Sequence, residues 1–254
     1  MTGFISVYVL WLREMKRFIR AKSRIIGMLS MPLLFLAFMG FGFSGLSIPG
    51  LDRSVSYMSF LVPGIIGMGI LFNSMFAGIS VLWDREFGFL KEIMVAPVKR
   101  IYIALGRIAG GATTALVQGI LILLISIGVG FAVPSVFAFL SALVFMALIS
   151  VTFIGLGLVF ASKMKDMQGF NLIMNFIIFP MFFLSGALFP LDNLPFFIKV
   201  ISYIDPLTYG VDGLRASLIG FSVFGIFFDF AALLAFSALF VFLGTYFFEK
   251  SESV

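Results

Sequence analysis

Across 254 residues the chain carries 61% hydrophobic and 11% charged residues, with 35 Phe among them, against roughly 45–50% and 25% in ordinary globular domains. A core of this size cannot hide so much apolar side chain, so the excess is expected to face lipid. The absence of His and Cys removes zinc and haem sites, thiol nucleophiles, imidazole bases and disulfides, and the placement of a net charge of +5 points to a membrane surface and not to nucleic acid.

At the N-terminus, Phe4, Tyr8, Trp11, Met15 and Phe18 recur at spacings of three and four, and Arg13, Lys16, Arg17, Arg20 and Arg24 fall on the opposite face. This predicts an interfacial amphipathic helix over residues 1–24, apolar side in lipid. The same cations would also anchor the first span, and that role needs only the charges. No cleavable signal peptide is evident.

A membrane helix needs about 20 mostly apolar residues. Six segments qualify: 25–43, 59–82, 108–131, 136–162, 169–189 and 224–248. None contains Lys or Arg, and Asp229 is the only acid within them. The chain is therefore expected to be a single all-α transmembrane domain. Lys and Arg then assign the sides. The N-terminal stretch, the connection after the second span, that after the fourth and the C-terminal tail together hold fourteen, whereas the other side holds Arg53, Lys199 and Arg215. Both termini are placed in the cytoplasm, and the chain in the cell membrane.

Two connections do more than link spans. From Arg85 and Glu86 onward, Phe87, Phe89, Leu90, Lys91, Glu92, Ile93 and Met94 combine apolar i,i+4 pairs with charge, and Pro97 would end a short helix near Val95. Such apolar residues beside water need a cover. They form either a helix half-sunk among headgroups or a docking helix, over about 85–95, for a soluble partner. Between the fifth and sixth spans, about 191–220, two apolar pieces are too short to cross and too hydrophobic for a free loop. Pro190, Pro195, Asp205, Pro206, Tyr209, Asp212 and Arg215 punctuate them, and they read as outer re-entrant or interfacial helices. Asp205 and Asp212 have no evident partner except Arg215, so a structural ion pair is expected there.

Within the spans, Asn73, Gln118, Asn171 and Asn175 are the polar candidates for a substrate path, although such residues more often serve helix–helix hydrogen bonds. Gly106 and Gly110 form a G-x-x-x-G at the foot of the third span. Gly40 to Gly45 matches G-x-G-x-x-G but follows no strand, and no phosphate-cradling G-x-x-x-x-G-K-[ST] occurs.

The run from Arg85 to Arg100 resembles the cytoplasmic loop of type-two ABC exporter permeases, particularly their daunorubicin-type drug-efflux branch. So do Phe183 to Pro195 and Asp205 to Arg215. The resemblance implies a permease that does not itself hydrolyse ATP, with no cofactor of its own. ATP and Mg would be held by two copies of a separate ATPase subunit, and Arg85 to Met94 would be the coupling helix seated in it. A second permease copy, in a homodimer, and membrane lipid complete the expected partners. The implied cargo is hydrophobic or amphipathic (drug-like, lipid or lipid-linked), while the same family also moves polysaccharides and glycolipids. An ion-coupled secondary transporter and an intramembrane enzyme are the competing classes. The first would want carboxylates near the bilayer midplane, where only Asp229 comes close.

The charge asymmetry makes a direct prediction. In the naturally Cys-free chain, cysteines placed at Arg53 and Lys199 should react with an impermeant maleimide in intact cells. Those at Lys99 and Lys250 should react only after lysis, and the reverse pattern would invert the map.

Overall fold

The computed structural model describes residues 2–43, 56–86, 98–164, 166–191 and 195–251, and among these the secondary structure is entirely helical. Helix α1 is Thr2–Arg20; α2, Lys22–Phe41; α3, Tyr57–Glu86; α4, Arg100–Gly128; α5, Val136–Lys163. Then come α6, Met167–Leu184; α7, Phe196–Ile204; α8, Pro206–Ile219; and α9, Ile226–Ser251. Six of them, α2 to α6 and α9, are long and apolar enough to cross a membrane. The chain is an all-α integral membrane protein.

Local chemistry sets the helix ends. Ser135 and Asp166 cap α5 and α6 by accepting from the N–H groups of Ala138 and Gly169. Asp205 does the same for α8 through Leu207, and Pro206 follows at the first helical position. Gly220, at φ +71°, closes α8 in the left-handed conformation.

Two span boundaries depart from expectation. Helix α4 starts at Arg100, two turns before the apolar stretch, because its basal turns are held by α1. Helix α6 stops at Leu184, five residues before Phe189, where the chain turns at Gly186 (φ +76°). Arg215 makes that turn tenable: its Nη2 donates to the carbonyls of Gly186 and Ala187 at 2.7 and 2.9 Å.

The centre of the bundle is α5, with α9, α3, α8 and α4 packed around it. Burial separates the spans into two groups. Some 82% of the most apolar window of α3 is enclosed, but only 17%, 22% and 17% of those of α2, α6 and α9. Those three therefore present long apolar faces outward.

Lipid tails are as apolar as Leu, so close packing rather than hydrophobicity must join the helices. A Cβ on Gly78 of α3 would lie 2.7 Å from the backbone carbon of Gly157 on α5, and one on Gly155 would meet the backbone of α9 at Phe240 at the same distance. No side chain fits at either point. Helix α1 is held similarly. A Cβ on Gly106 or Gly110 would come within 2.9 Å of Leu10 or 2.8 Å of Glu14. Trp11 Nε1 donates to Thr113 Oγ1 at 3.0 Å, and Phe18 is buried. The apolar stripe expected to face lipid is thus divided: Trp11 and Phe18 meet protein, while Phe4 stays 81% exposed. The G-x-x-x-G motif removes the side chains that would have kept α1 away.

Gly78→Ala should lower the thermal midpoint in lipid nanodiscs, an overpacking cost of about 1–3 kcal/mol. Gly27→Ala, whose Cβ would meet nothing within 4 Å, should leave it unchanged or higher.

Candidate functional site

Helices α2, α3, α4 and α6 and the α1–α2 junction enclose a cavity of about 720 Å³. Its walls are mainly Met and aromatic: Met28, Met31, Met68, Phe72, Phe76, Trp83, Met174 and Phe179. Asn73, Gln118, Asn171 and Asn175, expected from sequence as separate polar points in three spans, all line this one space. At the α1–α2 end it is bounded by Arg17 and Arg24.

The position of Gln118 has a local cause. Pro32 has no N–H, so the Met28 carbonyl four residues earlier loses its helical donor. Gln118 Nε2 supplies one at 2.7 Å. Gly69 leaves room for this junction, because a Cβ there would lie 2.5 Å from Ile122 and 3.1 Å from the Gln118 amide. The other end of the amide, Oε1, is buried without a partner among the described residues, and so is Nδ2 of Asn73. A buried amide atom left unpaired destabilises the fold by about 1–3 kcal/mol. Both residues line the same cavity, each with one buried amide atom unpaired among the described residues. Asn171 and Asn175 lie one turn apart on the exposed side of α6, beside a π-helical stretch, Met174–Ile178, that widens the helix.

A second cluster ties the base of this region together. Asp84, near the end of α3, accepts from Arg107 of α4 and lies 3.7 Å from Arg13 of α1. Glu14 of α1 lies 3.8 Å from Arg24 of α2. Sequence reading counted these cations only as a side marker, since no spacing along the chain could pair residues 84 and 107. Arg85 and Glu86 close α3, and Phe87, Phe89, Leu90, Lys91, Glu92, Ile93 and Met94 lie outside the described residues.

At the opposite end, the short helices differ from each other. Helix α7 exposes Phe196 and Phe197, whereas α8 is buried almost throughout. Pro190 follows the turn after α6, and Pro195 precedes the first residue of α7. The ion pair expected between the aspartates and Arg215 is not formed. Among the described residues Arg215 bonds only backbone carbonyls, adding that of Phe60 at 3.3 Å, and stacks 3.6 Å from the Phe60 ring centre. Asp212 accepts from the N–H groups of Val223 and Phe224 and from Ser222. Asp205 caps α8, and Tyr209 donates to the Tyr203 carbonyl at 2.6 Å. Backbone groups left without a helical partner took up both side chains, because an unpaired buried carbonyl or N–H is costly.

Residues 5–219 match the family described as ABC-2 type transporter. The chain is 28% identical over 221 residues to "Inner membrane transport permease YadH" of Escherichia coli strain K12, covering 85% of this chain and 84% of that protein. It is also 28% identical over 221 residues to "Nodulation protein J" of Rhizobium leguminosarum bv. viciae, covering 86% and 84%.

The two buried amides should respond oppositely to substitution. Asn73→Leu removes an unpaired donor and should raise the thermal midpoint, by about 1 kcal/mol in stability. Gln118→Leu strips the Met28 carbonyl of its donor and should lower stability by about 1–3 kcal/mol. A fall for Asn73→Leu would assign that amide a structural partner.

Proposed function

The chain belongs to the ABC-2 type transporter family, so it is a membrane permease subunit, and we propose that it is the path-forming half of an exporter. The observation that carries this is the cavity itself: apolar and aromatic walls with four amides, bounded in part by the sparsely buried helices α2 and α6. Such a lining suits a hydrophobic or amphipathic cargo, whether drug-like, lipid or lipid-linked. The polysaccharide and glycolipid cargoes of the family would ask for more polar walls. The ion-coupled alternative has no support in this family membership.

Family membership implies an ABC ATPase partner. In the proposed assembly two ATPase copies, holding ATP and Mg, serve two identical permease chains whose termini are cytoplasmic. The sparsely buried faces of α2 and α6 are where the second copy, and lipid around it, would cover the cavity. Arg85 to Met94 is the segment proposed to dock in the ATPase. Helix α3 leads straight into it, and Asp84, at that helix's end, is bonded to Arg107 and faces Arg13. A displacement of the docked segment therefore pulls on α1 and α4, two of the elements that bound the cavity. ATP-driven closure of the ATPases becomes rigid-body movement of helices.

Combining Phe89→Ala with Leu90→Ala should remove apolar packing worth about 1–3 kcal/mol, cutting ATPase co-purification and substrate-stimulated hydrolysis while leaving membrane insertion intact. Lys91→Glu should give a defect that varies with ionic strength. Full recovery and full stimulation in the double variant would show that this segment is not the coupling element.

A further inference from the structure

Resting on the cavity as the transport path, we propose that its cargo is an acidic amphipath: an apolar chain bearing a phosphate, sulfate or carboxylate head. The observation is the distribution of charge along the wall. Arg17 and Arg24 stand at one end, the amides of Asn73 and Gln118 lie deeper, and Met and Phe fill the rest. From Arg24 to Met28, whose carbonyl holds Gln118, is one turn of α2, about 6 Å along the axis. The spacing matches a charged head, a neck with a hydroxyl or amide, and a tail. Nδ2 of Asn73 and Oε1 of Gln118 are buried and unpaired among the described residues, and once the amides turn toward the cavity the first would donate to that neck and the second would accept from it.

Of the two cations, Arg17 makes no ion pair among the described residues, and Arg24 is paired with Glu14 at 3.8 Å, too far for a hydrogen bond. A second feature adjoins the cavity. The basic face of α1 carries a groove lined by Arg13, Lys16, Arg17 and Arg20, which shares Arg17 and Ala21 with the cavity wall. An anionic head therefore meets guanidinium groups outside and again within, along one continuous surface. Anchoring the first span needs these charges somewhere on the same side of the membrane. It does not need two of them on the wall of a cavity.

The test uses the permease–ATPase complex in phosphatidylcholine nanodiscs, with three probes of one tail: dodecyl phosphate, dodecyl maltoside and dodecyltrimethylammonium. Dodecyl phosphate should bind about tenfold or more tightly than the other two, and should stimulate ATP hydrolysis. Arg17→Gln with Arg24→Gln should abolish both the preference and the stimulation, whereas Lys250→Gln, outside the cavity lining, should abolish neither. Inorganic phosphate at matched concentration should not compete, because the tail supplies much of the affinity. Competition by inorganic phosphate would overturn the proposal in favour of a plain anion site, and binding without stimulation in favour of a resident lipid headgroup. If the three probes bind equally and Asn73→Leu weakens them all, the acidic class falls while the transport path stands. If no probe binds, or neither the arginine pair nor Asn73→Leu changes binding, the cavity is not the path and both readings fall.

Discussion

Gly78 and Gly157 meet where α3 crosses α5, with no room for a Cβ between them, and Gly155 presses the same stretch of α5 against α9. Helices in lipid gain nothing by hiding apolar surface from one another, so they associate where backbones can approach and dispersion contacts multiply. With α5 clasped on two sides, α3 and α9 are fixed, and α8 and α4 pack against the same core. The same device, at Gly106 and Gly110, brings α1 alongside α4. Small residues thus set the distances, and larger residues fill what remains.

What remains unfilled is the cavity. One junction in its wall follows from a broken hydrogen bond: Pro32 frees the Met28 carbonyl, Gln118 reaches across from α4 to satisfy it, and Gly69 keeps the junction clear. The repair is incomplete, because Oε1 of the same amide stays buried with no donor among the described residues. Arg215 performs a comparable repair at the turn after α6 and leaves its carbonyl partners satisfied. A fully satisfied network rigidifies, whereas one left half-satisfied beside a cavity offers groups to a ligand. The two unpaired amide atoms belong to residues on the cavity wall.

Much of the architecture was legible in the sequence, because six stretches of about 20 apolar residues leave few alternatives in a bilayer. The two short helices after α6 were visible for the same reason, being too apolar for a loop and too short to cross. The burial of α8 was not visible. Asp212 and Arg215, one turn apart, read as an ion pair, yet each is taken by backbone freed at turns that no periodicity reveals. Of the candidate site, the four amides could be named but not gathered, since Asn73, Gln118 and Asn175 share no helix. Arg17 and Arg24 were legible only as charge. A positive-inside count treats cations on one side of the membrane as equivalent, and only the fold shows which of them line a cavity.

The central claim is that this cavity is the transport path and that ATP in the partner subunit changes access to it. The Cys-free chain permits a direct measurement: Asn171→Cys in the reconstituted complex, labelled with a water-soluble maleimide, first without nucleotide and then with ATP trapped in the ATPase. The account predicts that the labelling rate changes several-fold between the two states, and that dodecyl phosphate protects the site in the nucleotide-free state. Equal rates in both states, in complexes whose ATPase still responds to its permease, would contradict it.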